Sequence, residues 1–260
     1  MAEAKTAVAN KPIWADLASS DAAGARDFYS KVFGWKIEVD PDPQYGGYGM
    51  ARIGGKDIAG IGPKQMDEAP SAWTVYIGSA NAADTAKKAE AAGGKVIVPP
   101  MEVGPQGVMT IIADPSGAMF GVWQAKNMSG AQAIGEPNTY GWAELNSRGV
   151  DKAKPFYKKL FGWGEKNMDM PQGGQYTEFQ VGGESIAGGM EMNEMVPAEV
   201  PSYWLVYFTV PDVDKSHKTA TEAGAQSMME PQDFPGGRFS ILTDPQGASF
   251  GLLKMQDEKR

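Results

Sequence analysis

The chain repeats itself once, and this duplication constrains its fold more than any other feature of the sequence. Residues 14–17 read WADL and return as WAEL at residues 142–145, 128 positions later. Near the end of the first copy, DPSGAMFGV at residues 114–122 returns as DPQGASFGL at residues 244–252, 130 positions later. Matches in one order at a nearly constant spacing indicate a duplicated structural unit. We therefore predict a first domain, a polar linker and a second domain, at residues 11–126, 127–138 and 139–256.

Each repeat divides again into two similar halves. The first half opens with an apolar strand over residues 12–19, and apolar side chains with the spacing of one helix face follow. Asp21 is placed to cap this helix and Gly34 to end it, and three short strands with glycine-rich turns come next. The same order recurs, which predicts four βαβββ modules. Pro155 falls in the third helix and is tolerable in the first turn, where a missing N–H costs no hydrogen bond.

Composition excludes several classes of function. The chain has no cysteine, which excludes disulfides, thiolate metal sites and cysteine nucleophiles. The net charge of −8 argues against a nucleic-acid partner, because a phosphate backbone demands a basic surface. The longest apolar runs are too short to cross a bilayer, and the first residues lack the apolar core of a signal peptide. We therefore expect a cytoplasmic protein without a nucleic-acid or membrane partner.

Three motifs carry a resemblance to a known family. They are L-x-x-x-D at residues 17–21, F-Y-x-x-x-F-G-W at residues 28–35 and D-P-x-G at residues 114–117. In these motifs the chain resembles the vicinal oxygen chelate superfamily, also called the glyoxalase/bleomycin-resistance/dioxygenase fold. It is most similar to the tandem bacterial branch often labelled hydroxylase or glyoxalase family protein. The resemblance implies an α+β fold of two glyoxalase-like domains, whose modules form curved, cup-shaped mixed sheets with the helices on the outer face.

The same resemblance implies a divalent metal ion held in the cup by histidine and glutamate, and the sequence departs from this pattern. Near one of the four metal-ligand positions of the family, this chain carries glycines, Gly60 and Gly188. The only histidine is His217, which we expect to be an ordinary surface residue of the fourth helix. We therefore predict no metal ion and no cofactor. The family's first histidine position carries Trp14 and Trp142, and its second histidine position carries Trp73 and Trp204. Its glutamate position carries Gly121 and Gly251.

Strand alternation points every second residue into the cup, which predicts its lining. A lining of aromatic and apolar groups with one carboxylate per repeat suits a small aromatic or hydrophobic molecule that carries a polar group. The glycines at the family's ligand positions would leave room for it. In the first repeat the predicted ligand-binding residues are Trp14, Asp16, Trp73, Val75, Met119, Gly121 and Trp123. In the second repeat they are Trp142, Glu144, Asn146, Trp204, Phe208 and Gly251.

Three functions remain open from the sequence. The first is a metal-independent monomer or homodimer that binds a small aromatic or hydrophobic molecule in the cup. The second is a glyoxalase-, hydroxylase- or dioxygenase-type enzyme that works without the metal site and uses Asp16 or Glu144 as general base. The third is a structural or interaction protein whose cups are plugged by their own side chains, such as inward tryptophans whose indole N–H is bonded to Asp16 or Glu144. Arg148 and Arg238 could bind an anionic ligand or lie on the surface.

Overall fold

The first repeat folds into the two predicted βαβββ modules. The structure is a computed structural model that describes residues 10–170, 173–193 and 196–256. Module 1 contains β1 (Pro12–Ser19), α1 (Ala22–Phe33), β2 (Lys36–Val39), β3 (Gly49–Ile53) and β4 (Lys56–Pro63). Module 2 contains β5 (Ala72–Gly78), α2 (Ala82–Ala91), β6 (Lys95–Val103), β7 (Gly107–Ala113) and β8 (Met119–Ala125).

The second repeat has the same order of elements, so the prediction of four modules is confirmed. Module 3 contains β9 (Tyr140–Ser147), α3 (Val150–Phe161), β10 (Gly164–Asp169), β11 (Gln175–Val181) and β12 (Glu184–Glu191). Module 4 contains β13 (Tyr203–Thr209), α4 (Val213–Glu222), β14 (Gln226–Phe234), β15 (Gly237–Thr243) and β16 (Ser249–Met255). None of the described helices is long and apolar enough to cross a membrane.

The strands form two eight-stranded mixed sheets, one in each repeat. Their orders are β2-β3-β4-β1-β5-β8-β7-β6 and β10-β11-β12-β9-β13-β16-β15-β14. In every module the first strand runs parallel to the last, and the last three strands are antiparallel neighbours. This is the predicted α+β arrangement.

Local signals fix the ends of α1. The side chain of Asp21 accepts a hydrogen bond from the backbone N–H of Gly24 at 3.0 Å, as an N-cap does. Gly34 follows the last turn in the left-handed conformation, with a φ of 72° that a residue with a side chain rarely adopts. The helix therefore begins and ends where the sequence predicts.

Pro155 corrects one expectation. It is the sixth residue of α3 rather than a residue of the first turn. Proline cannot donate the backbone hydrogen bond that the carbonyl of Asp151 would otherwise accept within the helix. The helix continues to Phe161 nonetheless, because its apolar face remains buried on both sides of the proline, from Ala153 to Leu160.

The packing divides the chain into two compact units, and each unit combines segments of both repeats. The first unit comprises residues 75–130 and 143–204 with residues 10–13, so it holds most of modules 2 and 3. The second unit comprises residues 14–74, 131–142 and the described residues from 205 onward, which are most of modules 1 and 4. Each unit has an aromatic core of its own.

The core of the second unit forms where α1 packs against module 4. The ring of Phe33 lies 5.0 Å from that of Phe208, and the ring of Tyr29 lies 5.5 Å from that of Phe250, measured between centroids. In the first unit α3 packs in the same way against module 2, with the ring of Tyr157 at 5.5 Å from that of Phe120. The helices of modules 1 and 3 therefore find partners in the other repeat.

A buried hydrogen-bond relay crosses each core. In the second unit the indole N–H of Trp73 donates to the hydroxyl of Tyr29 at 2.8 Å, and that hydroxyl donates to Asp244 Oδ2 at 3.0 Å. The other oxygen of Asp244 accepts the backbone N–H groups of Gln246 and Ala248 within the D-P-x-G turn. Because every member has a partner, the polar groups can be buried.

The first unit contains the equivalent relay. Trp204 donates to Tyr157 at 2.9 Å, and Tyr157 donates to Asp114 Oδ2 at 3.0 Å. Burial, with the charge of the neighbouring aspartate, raises the pKa of both relay tyrosines, Tyr29 and Tyr157, well above the usual range. The phenols therefore remain neutral donors. The tyrosine of the F-Y motif and the aspartate of the D-P-x-G motif are thus hydrogen-bonded partners within one relay.

Candidate functional site

One face of each sheet packs against the helices, and the other carries the candidate site. We call the second face the inner face. In module 1 it holds Asp16 of β1 and Gly60 of β4, which are paired in the parallel register. The intervening Ala15 and Leu17 are buried on the helix side. Trp14 shares the inner face, because alternate residues of a strand project to the same side.

A cluster of an indole, a phenol and a carboxylate lies on the inner face of module 1. The indole N–H of Trp14 donates to the hydroxyl of Tyr48 at 3.2 Å, and this hydroxyl lies 3.5 Å from Asp16 Oδ2. Trp14 is 3% exposed, whereas Asp16 is half-buried. The predicted orientation of both residues is right, but the indole reaches the carboxylate through a tyrosine that the sequence reading missed.

Tyr48 is a neutral donor in this cluster. Desolvation raises the pKa of its hydroxyl well above the usual value, and the negative charge of Asp16 raises it further. The hydrogen bond from Trp14 acts in the opposite direction and is the smaller influence. The cluster therefore offers a phenol O–H beside a carboxylate that remains partly accessible.

Tyrosine rings cover three of the four glycines at the family's ligand positions. A Cβ atom built on these glycines would lie between 1.6 and 2.2 Å from an atom of the covering tyrosine. The room that we expected a ligand to use is therefore occupied by the protein's own side chains. The pairs are Gly60 with Tyr48, Gly121 with Tyr76 and Gly251 with Tyr207.

The predicted orientation of β5 and β13 is wrong by one residue. Tyr76 pairs with Gly121, and Tyr207 pairs with Gly251, so the tyrosines project from the inner face. Side chains on both faces of these strands are buried. The sequence therefore lacks the alternation of polar and apolar residues that would indicate which residues project from the inner face. The residues that project to the helix side instead, and are buried there, are Trp73, Val75, Trp204 and Phe208.

The last strands of the sheets follow the prediction. Met119, Gly121 and Trp123 of β8 project from the inner face of module 2, and Gly251 of β16 projects from that of module 4. Trp123 is 8% exposed, and its indole N–H donates to the carbonyl of Met128 at 2.8 Å.

The inner face of module 3 is more polar than that of module 1. Glu144 and Asn146 are half-buried, and Asn146 Nδ2 lies 3.3 Å from Glu144 Oε1. Burial raises the pKa of the neighbouring Tyr203, and the charge of Glu144 adds to the effect. Trp142, the second-repeat counterpart of Trp14, is half-buried and belongs, like Trp14, to the second compact unit rather than to the unit that contains Glu144.

A second carboxylate extends this polar face. Glu178 pairs across β11 and β12 with Gly188, which in turn pairs with Glu144. It accepts a hydrogen bond from the hydroxyl of Ser185 at 2.8 Å and lies 3.6 Å from Lys166 Nζ. Module 3 therefore presents two acidic side chains with polar neighbours.

Arg148 and Arg238, the two arginines considered for binding an anionic ligand, instead bind groups of the protein itself. Arg148 donates to main-chain carbonyls of the loop before β13, at Val196, Pro197 and Val200. Arg238 forms ion pairs with Asp214 at 2.7 Å and Asp233 at 2.9 Å.

His217 contradicts the expectation of a surface residue. Its side chain is 7% exposed, because it stands on the buried side of α4. His217 Nε2 lies 3.4 Å from Glu230 Oε2, and Nδ1 has no hydrogen-bond partner.

Comparison with known proteins fits this architecture. A family model described as the Glyoxalase/Bleomycin resistance protein/Dioxygenase superfamily matches residues 11–122 and 139–252. The chain belongs to this superfamily. The two matched regions coincide with the two sequence repeats, and the superfamily's fold is the one that the motifs implied.

Similar proteins are found in several bacteria. "Putative glyoxylase CFP32" of Mycobacterium tuberculosis is 37% identical over 248 residues, which are 94% of both chains. "Anthracycline biosynthesis protein DnrV" of Streptomyces peucetius is 35% identical over 260 residues, 95% of this chain and 94% of that protein. The Mn(II)-bound glyoxalase of Novosphingobium aromaticivorans has a similar solved structure, with a TM-score of 0.66 and 15% identity over 96% of this chain and 83% of that one. At that identity the likeness concerns the fold alone.

The residues of this chain do not fit the metal ion of the superfamily. Within residues 10–170, 173–193 and 196–256, no group of three or more histidine, aspartate or glutamate side chains is arranged to hold a metal ion. Tryptophan side chains offer no lone pair to a metal, and a tyrosine ring lies over Gly60, Gly121 and Gly251.

Proposed function

We propose that the protein binds a small aromatic molecule on the inner faces of its sheets and does so without a metal ion. The cluster of Trp14, Tyr48 and Asp16 carries this proposal. The half-buried Tyr48 ring provides apolar surface, the buried Trp14 indole holds its hydroxyl in place, and the half-buried Asp16 carboxylate provides one polar contact beside them. This combination suits an aromatic ligand with a hydroxyl or amino group.

The proposed ligand-binding residues are those predicted side chains that project from an inner face. Their distribution over both repeats supports more than one binding position. We keep cytoplasmic location as a prediction. The proposed residues are Trp14, Asp16, Met119, Trp123, Trp142, Glu144 and Asn146.

A binding experiment tests the proposal. A panel of aromatic compounds would be titrated against the chelator-treated protein while tryptophan fluorescence is recorded. The panel should include anthracyclines, because two relatives are named for anthracycline biosynthesis. We expect saturable quenching by at least one compound, unchanged when a divalent metal is added back.

Substitution of Asp16 makes the test specific. We expect Asp16→Asn to weaken binding of the quenching compound by about tenfold, since a hydrogen bond to a charged group contributes about 1.5–3 kcal/mol. Asp27→Asn, at an exposed position of α1, is the matched control and should bind as the parent protein does. Binding that requires the added metal would contradict the proposal.

A second candidate function is catalysis without the metal. The partly accessible Asp16 carboxylate and the neutral Tyr48 phenol stand 3.5 Å apart, as a general base and a proton donor could. In this case Asp16→Asn or Glu144→Gln should abolish turnover of a bound compound while its dissociation constant changes little. Binding that is never followed by turnover favours the first function.

A further inference from the structure

A row of four paired residues crosses the inner face of module 1. Asp16 of β1 pairs with Gly60 of β4, which pairs with Met50 of β3. Met50 in turn pairs with Glu38 of β2. Directly paired residues of neighbouring strands project from the same face, so the four residues form one line that we call the module 1 row. From Asp16 to Met50 this row spans two strand spacings, about 10 Å.

Met50 stands beside the cluster that carries the proposed function. Its side chain is half-buried, as are those of Asp16 and Tyr48. The Tyr48 hydroxyl lies over Gly60, since a Cβ atom built on this glycine would be 1.6 Å from the hydroxyl oxygen. In the row, Gly60 lies between Asp16 and Met50. A molecule that lies against the Tyr48 ring with its polar group at Asp16 therefore has Met50 at its opposite edge.

Charged residues lie at the outer end of the row rather than in its middle. Arg52 donates hydrogen bonds to Glu38, the last residue of the row, and to Asp57 of β4. Lys36, which pairs with Arg52 in register, is exposed on the edge strand β2. Between Asp16 and these ion pairs the row consists of a glycine and a methionine. The middle of the row is therefore uncharged.

Module 3 contains the same row with different chemistry. Each of its members follows its module 1 counterpart by 128 positions, and the paired residues in order are Glu144, Gly188, Glu178 and Lys166. Glu178 therefore stands where module 1 has Met50. Its carboxylate is half-buried and lies 3.6 Å from Lys166 Nζ. The fold thus accommodates either residue at this position, whereas the surface that a ligand would meet differs between the two modules.

Methionine and glutamate respond differently to an uncharged ring placed on them. Covering a methionine removes apolar surface from water, and its polarisable sulfur makes favourable contacts with aromatic rings. Covering a glutamate removes water from a carboxylate, which costs free energy unless a cation or a hydrogen-bond donor replaces that water. An uncharged ligand therefore favours the module 1 row over the module 3 row, whereas a cationic ligand does not share this preference.

We propose that Met50 determines the specificity of the module 1 binding position, and that this position takes an uncharged hydroxyarene of two or three fused rings. The inference rests on the proposed function and adds a ligand class and the residue that selects it. A hydroxyl group can donate to Asp16, and two or three fused rings match the distance of about 10 Å to Met50. Glu178 makes the corresponding position of module 3 unsuitable for the same ligand.

The test transfers the module 3 residue to module 1. Naphthol and naphthylmethylamine serve as probes, because they share a ring system and only the amine is charged at neutral pH. Isothermal titration calorimetry measures both affinities. We expect Met50→Glu to weaken naphthol binding by about tenfold or more and to leave the amine bound at least as tightly as before. Met50→Leu keeps an apolar side chain of similar volume and should bind naphthol within about threefold of the parent protein.

Met66→Glu is the matched control for the added charge. Met66 is 60% exposed in the loop between β4 and β5, so the substitution should alter both affinities by less than about twofold. A loss of naphthol binding in this control as large as that in Met50→Glu would overturn the inference, because the effect would then come from net charge rather than from the row.

The outcomes separate this inference from the proposed function. Equal weakening of both probes by Met50→Glu overturns the inference, because the substitution then disturbs the site as a whole rather than its preference. Unchanged naphthol binding in that variant overturns it as well, and so does a parent protein that binds other compounds of the aromatic panel but not naphthol. If no compound of the panel binds the parent protein, the proposed function itself fails.

Discussion

The glycines of the inner faces exclude side chains rather than admit a ligand. At Gly60, Gly121 and Gly251 the space beside the backbone holds a tyrosine ring. A tyrosine from a neighbouring strand, or in the case of Tyr48 from the residue just before one, thus fills the place where the superfamily pattern has a metal ligand. The repeat offered a signal for these tyrosines, since Tyr76 and Tyr207 are 131 positions apart.

Substitution at Gly121 tests this packing. We expect Gly121→Ala to lower the free energy of unfolding by about 1–3 kcal/mol, because its Cβ would lie 2.2 Å from the ring of Tyr76. Urea denaturation measures the change. Gly164→Ala is the control, since the nearest atom to its Cβ is the carbonyl of Gln180 at 3.7 Å, and its effect should stay within about 0.5 kcal/mol. Equal losses at both glycines would contradict the tyrosine contact.

Strands differed in how well their sequences predicted their orientation. In β1 the polar Asp16 lies between the buried Ala15 and Leu17, and this alternation shows which residues face the helices and which face away. Trp14 and Asp16 were therefore assigned to the inner face correctly. In β5 the run from Val75 to Ile77 is buried on both faces, and no sequence signal distinguishes them. Helix ends were predictable because Asp21 and Gly34 act locally, whereas the partners of Trp73 depend on the tertiary fold.

The hydrogen-bond relay that passes through Tyr157 gives a prediction for the stability contributed by α3. We expect Tyr157→Phe to lower the free energy of unfolding by about 1–3 kcal/mol, because it leaves the indole N–H of Trp204 and an oxygen of Asp114 buried without their partner. Tyr45→Phe, at a half-buried tyrosine of the turn before β3, should be nearly neutral. The comparison uses denaturation midpoints of the two variants. Similar losses would show that the phenol hydroxyl of Tyr157 has no special role.

The repeats of the sequence and the compact units of the structure divide the chain differently. The sequence predicted four modules and two sheets, because motifs and periodicity are visible along the chain. It did not predict that the module 1 helix packs with module 4, because the helices of the two repeats carry similar apolar faces. Only the three-dimensional packing distinguishes these partners.

A double-mutant cycle tests the interleaved packing in the full chain. Tyr29→Phe and Asp244→Asn affect one relay, although they lie in different repeats, so we expect a coupling energy of about 0.5–3 kcal/mol. Tyr29→Phe and Asp114→Asn lie in the same repeat but in different units, so their effects should add within about 0.5 kcal/mol. The reverse pattern would contradict the assignment of partners.

The buried phenols also predict how stability depends on pH. The pKa values of Tyr29, Tyr48 and Tyr157 are raised well above the ordinary value of 10.0 in the folded protein. The stability that these groups contribute is therefore complete below about pH 10 and is lost as the pH rises toward their folded values. Ultraviolet absorbance should report tyrosinate formation together with loss of structure above that pH. Gradual ionisation in a protein that stays folded would contradict the prediction.

The interleaved units have a consequence for the ancestry of the chain. A protein with a single copy of the repeat would contain α1 but not the module 4 residues that complete its core, and a second molecule of that protein would have to supply them. Gene duplication places both repeats in one chain. The residues that complete each core are then present at a high effective concentration, whatever the concentration of the protein. Fusion thereby freed the two inner faces to diverge, because identical subunits must carry identical faces and fused repeats need not.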